Sequence, residues 1–325
     1  MKNKILSFSF NKALFVIWVL IFLFIGIMAP SFFSWPYICN VMLRNIVEIG
    51  LVALPMTFII ITGGIDLSVG NTMILSAMLG GLAYMKWGNI AALLVTLLTG
   101  LICGLINGII IAKIKISSMV ATLATMYLFL GLARGISKGD SVYYYGLADF
   151  MGNTSIAGIP MQIWIFILLA IIFVFVLGKT SFGRQLYCIG LNPNATRYSG
   201  IDTDRVQIGI YCLCGVICAL AALIFLGRFT SVKYDAGTNF NLKVITIVVL
   251  GGTSIAGGIG DMRGTILATL IIATLNSGLT VMNIPIDIQT IIQGTVLIIA
   301  LVANAVVNAR SKQKRIIEVK KAVAI

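Results

Sequence analysis

Long apolar runs alternate with short polar connections along the chain of 325 residues. A helix that crosses the hydrocarbon core of a bilayer needs about 20 mostly apolar residues. Ten runs approach this length, and each predicts a transmembrane helix. We therefore expect an all-α polytopic membrane protein, with residues 1–325 forming a single transmembrane domain. The predicted spans are 13–29, 46–62, 69–85, 90–112, 116–135, 162–178, 206–227, 243–260, 265–281 and 288–307.

The composition agrees with this pattern. Apolar residues make up 59% of the chain and charged residues 10%, and the mean hydropathy is +1.06, far above that of soluble domains. The chain contains no histidine, which excludes a catalytic imidazole and a histidine-based metal site. The six cysteines include no C-x-x-C pair and are expected to pack in apolar surroundings. We predict no enzymatic activity and no bound metal.

The basic residues predict the orientation. If both termini are cytoplasmic, sixteen of the 23 Lys and Arg residues lie in cytoplasmic segments and seven in external ones. Cytoplasmic connections of membrane proteins carry such an excess. The net charge of +13 is explained by this topology and by lipid headgroup contacts, and we see no pattern for nucleic-acid binding. We therefore predict that both termini are cytoplasmic.

The stretch ITGGIDLSVG, residues 61–70, places a carboxylate and two glycines between predicted spans. Non-helical backbone at membrane depth is tolerated where protein buries it or where it lines a wet cavity. One interpretation is a broken helix beside a polar pathway, with Asp66 binding free N–H groups at the next helix start. The other is a tight cytoplasmic turn that Asp66 caps. Both hold if the turn lies at the mouth of the pathway.

A second glycine-rich interruption, LGGTSIAGGIGDMRG, falls at the eighth predicted span and includes Gly251 and Gly252. Five spans separate the two interruptions, so the two halves of the chain would have opposite orientations. This arrangement is found in transporters with inverted repeats. A five-plus-five inverted repeat is therefore a hypothesis.

The longest polar stretch, about residues 179–205, connects the sixth and seventh predicted spans. A GKT sequence overlaps its start, but Phe173 stands where a phosphate-binding loop needs glycine, and a membrane helix precedes it instead of a strand. We therefore expect no nucleotide or other cofactor on this chain. Asn192 and Pro193 predict the start of a short helix that Gly200 would end. An ordinary connecting loop is the alternative.

Four motifs resemble, in order and across nearly the whole chain, the permease subunits of ribose-type sugar ABC importers. They are IGLVALPMTFIIITGGIDLSVG, GLINGIIIAKIKISSMVATLATMYLFLG, GRQLYCIGLNPNATRYSGI and VVLGGTSIAGGIG. The segments VALPMT and NIPIDIQTIIQG are most similar to the branch that includes rhamnose and autoinducer-2 permeases.

The resemblance implies an ATP-driven importer of a monosaccharide or related ligand in the bacterial inner membrane. Its partners would be a second permease subunit, identical or related, ATP-binding cassette subunits that hold the ATP, an extracytoplasmic sugar-binding protein and membrane lipids. The signature beside the pathway would comprise Gly63, Gly64, Asp66, Ser68, Gly70 and Asn71, with Gly251 and Gly252 in the second interruption. The segment that couples to the ATPase would comprise Gly183, Arg184, Gly190, Asn192, Ala195, Gly200 and Ile201.

One position departs from the resemblance. Asn241, Leu242 and Lys243 stand where the family commonly has Glu-Leu-Asp. This difference argues against an acidic contact to the binding protein at that place, and it is consistent with one member of a non-identical pair.

An ion-coupled secondary sugar transporter is the main alternative, and a gated pore is a third. A carrier driven by protons or sodium usually needs buried ionisable residues that bind the ion. The predicted spans and their ends offer few carboxylates, namely Glu48, Asp66 and Asp287. This scarcity favours a pathway driven by another subunit.

The predicted orientation has a direct test by cysteine labelling. In a cysteine-free background, a single cysteine near Asn194 should react with a membrane-impermeant reagent only from the cytoplasmic side, because this connection carries many of the basic residues. A cysteine near Gly152 should react from outside. The reverse labelling pattern would overturn the whole topology.

Overall fold

The computed structural model describes residues 2–144, 146–300 and 302, and it is almost entirely helical. The α-helices are α1 (Lys2–Met28), α2 (Trp35–Tyr37), α3 (Val47–Ile61), α4 (Val69–Ala112), α5 (Ser118–Ser137), α6 (Leu147–Asn153), α7 (Met161–Lys179), α8 (Ser181–Leu191), α9 (Pro193–Tyr198), α10 (Thr203–Phe229), α11 (Phe240–Leu250), α12 (Met262–Val281) and α13 (Ile286–Ala300). Short 3₁₀ turns at Pro30–Phe33 and Arg44–Ile46 and a π-helical stretch at Ile38–Leu43 make the entry to α3 helical from Trp35 onward.

Four two-residue strands accompany the helices on the side opposite α8 and α9. They are β1 (Val142–Tyr143), β2 (Ser155–Ile156), β3 (Ile159–Pro160) and β4 (Ser231–Val232). β1 pairs antiparallel with β4, with Val142 opposite Val232, and β2 pairs antiparallel with β3 in a hairpin, with Ser155 opposite Pro160. The pairing of β1 with β4 ties the end of α5 to the end of α10.

The described helices confirm the all-α polytopic fold. Seven of them are long and apolar enough to cross a membrane. α4 contains 44 residues with a kink at Gly88 (φ 80°, ψ −167°), so it comprises the third and fourth predicted spans. α11 and α13 are shorter apolar helices at the eighth and tenth predicted spans. Apart from residue 302, the last part of the tenth prediction, 301–307, lies outside the described residues.

The eighth predicted span, 243–260, is wrong in its second half. The helix there ends at Leu250, and residues 251–261 are non-helical. Three glycines in this stretch adopt left-handed backbone conformations that other residues rarely adopt, which explains why an apolar run does not continue as a helix. They are Gly252, Gly257 and Gly258.

Helix α3 lies at the centre of the molecule. All its residues except Ile49 are buried, and it packs against α7, α10, α11 and α12. Its first turn carries Glu48, which forms a buried ion pair with Arg228 at the end of α10 (2.8 Å). Arg44 in turn binds Gly152 and Asn153 of α6. These contacts fasten the ends of α3 and α10 on the side opposite α8 and α9.

Close backbone contact joins the second half of α4 to α10. A β-carbon at Gly100 would overlap the Gly215 carbonyl oxygen, and one at Gly104 would overlap the Tyr211 carbonyl oxygen. Glycines four residues apart lie on one helix face and let membrane helices approach closely. The packing places the α10 residue Tyr211 and the α4 residue Asn107 beside the interruption that follows α3.

Candidate functional site

Residues 62–68, here called break 1, separate α3 from α4. Ser68 at its end binds Asn107, which lies five residues before the end of α4 at Ala112. At 1.5 Å per residue this contact lies about 7.5 Å inside the helix end. Asp66 and Ser68 are buried, at 3% and 0% exposure. Break 1 is therefore a non-helical connection whose polar side chains Asp66 and Ser68 are buried, whereas Gly63 is exposed.

A chain of hydrogen bonds leads from the Asp66 carboxylate across α4 to α5. Asp66 Oδ1 accepts from the Ser68 backbone N–H (2.8 Å) and from the Ser68 hydroxyl (2.7 Å). The Ser68 hydroxyl accepts from Asn107 Nδ2 (2.8 Å), and Asn107 Oδ1 accepts from the Thr125 hydroxyl (2.7 Å). The carboxylate thus has buried polar partners, and its orientation is fixed through three segments of the chain.

The structure does not show the predicted binding of Asp66 to free N–H groups of the first turn of α4. The carboxylate binds a backbone N–H, but this group belongs to Ser68, the residue before the first helical residue Val69. Asp66 therefore closes a turn onto its own backbone two residues on. Ser68 itself makes no side-chain capping bond.

Side chains of α5 and α11 satisfy the backbone of break 1. Ser118 accepts from the Ile65 N–H, and the Thr122 hydroxyl accepts from the Leu67 N–H, both at 3.1 Å. Asn241 Nδ2 donates to the Leu67 carbonyl (3.0 Å). This donation is chemistry that a carboxylate at residue 241 could not perform. The position that departs from the family resemblance therefore faces break 1.

The other predicted signature residues surround the same segment. Gly63 has a φ of +82°, and a β-carbon at Gly64 would lie 2.9 Å from the Tyr211 hydroxyl. Gly70 packs against the backbone of Gly237, which precedes α11. Asn71 Nδ2 donates to the Met126 carbonyl of α5 (2.7 Å). The structure brings all six predicted residues of this signature into one region.

Residues 251–261, here called break 2, separate α11 from α12. The predicted residues Gly251 and Gly252 pack against α12 and against Phe10 of α1. Contact with break 1 and its helix comes instead from two later glycines, since the Gly258 N–H donates to the Ile61 carbonyl (2.8 Å) and Gly257 packs on Gly63. Sequence reasoning missed this role, although the repeated glycines of AGGIG were the available signal.

The predicted coupling residues lie on α8, at the two ends of α9 and within α9. Asn192 Oδ1 accepts from the Ala195 N–H (3.0 Å) and caps α9, and Gly200 has a φ of +83° just after the helix end. The short helix predicted after Asn192 is therefore confirmed, and α8 is an additional helix before it. The remaining coupling residues Gly183, Arg184 and Gly190 lie on α8, and Ile201 follows Gly200.

A cavity of about 370 Å³ lies between break 1 and α9. Its two charged lining residues, Lys115 and Arg197, are basic, and both pair with Asp204 at the start of α10. The cluster of Lys115, Arg197 and Asp204 was not predicted from the sequence, because its members lie in three separate segments of the chain. The lining residues are Thr62, Gly63, Gly64, Ile111, Lys115, Ile116, Ser117, Ser118, Pro193, Asn194, Arg197, Thr203, Gln207 and Tyr211.

Comparison with known proteins identifies the protein family to which this chain belongs. Residues 38–301 match the protein family described as the permease component of the branched-chain amino acid transport system. The match covers more than half of the chain, so the chain belongs to this permease family.

Two kinds of relative are similar over most of their length. The ribose import permease protein RbsC of Bacillus subtilis (strain 168) is 40% identical over 285 residues, which cover 86% of this chain and 88% of that protein. RbsC of Escherichia coli (strain K12) is 33% identical, with 90% and 93% covered. The autoinducer 2 import system permease protein LsrD of Escherichia coli O9:H4 (strain HS) is 33% identical, with 82% and 83% covered.

These relatives confirm the resemblance to ribose-type and autoinducer-2 permeases. No solved structure matches the chain.

Substitution of Asp66 tests the hydrogen-bond chain. Asp66→Asn keeps the oxygen that accepts from Ser68, so we expect most transport to remain. Asp66→Leu removes it and leaves buried donors unsatisfied, at a cost of about 1–3 kcal/mol each. We therefore expect Asp66→Leu to lower transport far more than expression.

Uptake and membrane abundance should be measured for both variants. A well-expressed but inactive Asp66→Asn protein would indicate an ionic or proton-carrying role. An active Asp66→Leu protein would remove the carboxylate from the mechanism.

Proposed function

We propose that this protein is the transmembrane subunit of an ATP-driven importer that moves a monosaccharide or related sugar-like ligand across the bacterial inner membrane. The observation that carries the proposal is the 40% identity to a ribose import permease over 86% of the chain. The cavity beside break 1 is lined by neutral polar side chains such as Thr62, Asn194 and Gln207, which can hydrogen-bond a neutral polar ligand without requiring a charge.

The buried carboxylates support this proposal over an ion-coupled carrier. Glu48 is paired with Arg228, and Asp66 is held by Ser68. Asp287 is exposed at the start of α13. A carboxylate that binds and releases an ion must exchange partners during transport. Both buried groups already serve in fixed structural contacts, so the energy for transport is expected to come from partner subunits.

The α8–α9 connection is the proposed docking surface for the ATP-binding cassette subunits, which would bind the ATP in place of this chain. Thr196 is the only buried residue of α9, whereas Tyr198 is 92% exposed and Leu191, just before the helix, is 67% exposed. Exposed aromatic residues often anchor protein interfaces. Arg184 is exposed on α8 and adds positive charge to this connection, which favours a partner cleft with an acidic rim.

The proposed importer also requires two further partners. A second permease subunit, identical or related, would complete the pathway, and an extracytoplasmic sugar-binding protein would deliver the ligand. With both termini cytoplasmic, the 370 Å³ cavity below break 1 would open toward the cytoplasm. ATP-driven movement at α8 and α9 would then alter break 1 and this cavity, which lies directly between them.

Reconstitution into liposomes tests the proposal. The chain, its ATP-binding subunits and its binding protein should be assembled, and uptake of labelled ribose, autoinducer-2 and leucine measured. We expect uptake of a sugar-like ligand that requires ATP and every partner. Uptake by this chain alone along an ion gradient would establish a secondary carrier. ATP-dependent uptake of leucine without uptake of either sugar-like ligand would replace the proposed substrate class.

Gly200 offers a test of α9 in coupling. Gly200→Pro cannot keep a φ of +83°, because the ring fixes φ near −65°, so we expect about a tenfold loss of uptake per ATP. Gly200→Asn is the matched control, since asparagine tolerates the left-handed conformation. Both proteins should insert normally. Equal uptake per ATP in the two variants would remove the α9 end from the coupling mechanism.

A further inference from the structure

Three backbone segments meet at Gly190, near the end of α8. A β-carbon at Gly190 would overlap both the Ile61 carbonyl oxygen at the end of α3 and the backbone N–H of Gly258 in break 2. These two groups are hydrogen-bonded to each other, because the Gly258 N–H donates to the Ile61 carbonyl (2.8 Å). Gly190 therefore packs directly onto the contact that joins break 2 to α3.

Two further contacts surround this point. The Tyr187 hydroxyl, one helical turn before Gly190, donates to the Gly260 carbonyl of break 2 (2.8 Å). Burial, together with the nearby Asp261, raises the pKa of Tyr187 to about 12. Gly257 of break 2 packs between the Gly190 carbonyl and the Gly63 backbone of break 1.

We infer that Tyr187 and Gly190 are positioning residues through which α8 sets the conformation of both breaks, at a three-way junction formed by Ile61, Gly190 and Gly258. The inference rests on the proposed importer function. It adds a path by which movement of α8 reaches the two breaks. Backbone atoms in contact cannot move toward each other, since protein interiors are close-packed. A displacement of α8 therefore moves the end of α3 and break 2 together.

This route differs from a push through α9 alone. α9 faces break 1 across the cavity of about 370 Å³, so a small shift of α9 is taken up by open space. The end of α8 has no such gap, because Gly190 lies against main-chain atoms on two sides. The junction also explains why break 2 needs left-handed residues at Gly257 and Gly258, which bring its backbone against Gly63 and Ile61.

Uptake and ATP hydrolysis, measured together in the reconstituted complete importer, test the junction. Tyr187→Phe removes one hydrogen bond and keeps the ring, so uptake per ATP should fall about threefold, the effect expected for one hydrogen bond. Gly190→Ala should have a larger effect. Gly209→Ala is the matched control, because Gly209 is a helical glycine of α10 whose added β-carbon would meet nothing within 4 Å.

The readout is the ratio of uptake to ATP hydrolysis at equal assembly with the partners. ATP hydrolysis that continues while uptake falls, in Tyr187→Phe and Gly190→Ala but not in Gly209→Ala, would support the junction. The double variant should be non-additive, since both changes act on one contact network. If Gly190→Ala does not assemble, Tyr187→Phe decides the question.

Two results would overturn the inference while leaving the importer function intact. One is a wild-type ratio of uptake to ATP hydrolysis in Tyr187→Phe. The other is a parallel loss of hydrolysis and uptake at equal assembly, which would mean that the two residues affect ATP hydrolysis itself and not the transfer of movement from α8 to the breaks. Failure of the proposed function would be recognised separately, as the absence of ATP-dependent uptake by the wild-type importer.

Discussion

The need to satisfy backbone polar groups away from water governs this structure. Helices satisfy their own N–H and carbonyl groups, so any interruption inside the helical layer requires partners from elsewhere. In break 1 the partners are short hydroxyl and amide side chains, above all Ser118, Thr122 and Asn241. In break 2 the backbone is held partly by main-chain contact with α3. The polar site exists because these neighbours complete the two interruptions.

Close approach of backbones is the second condition. Gly100 and Gly104 let α4 lie against α10, and this packing brings Asn107 to Ser68. In the same way, the absence of a side chain at Gly190 lets α8 lie against the end of α3 and against break 2. A larger side chain at these places would separate segments whose contact holds the polar groups in place. At these positions glycine is required because it lets two backbone segments come into contact, and not only because it permits unusual backbone conformations.

The ion pairs lie at the two ends of the helices. The buried ion pair of Glu48 and Arg228 fastens helix ends on one side, and Asp204 gathers basic residues beside the cavity on the other. Between them the polar groups around Asp66 are almost all neutral donors and acceptors.

The sequence by itself determined the helical class, nearly all the spans, the broken segment around Asp66, the short helix after Asn192 and the resemblance to importer permeases. These properties depend on hydrophobic period, glycine position and capping residues, which are local. The early end of α11, the binding of Leu67 by Asn241, the cavity and the meeting of Gly190 with Gly258 were decided by tertiary structure. Each depends on residues far apart in the chain, and no local pattern records which distant backbone will supply a hydrogen bond or occupy the space beside a glycine.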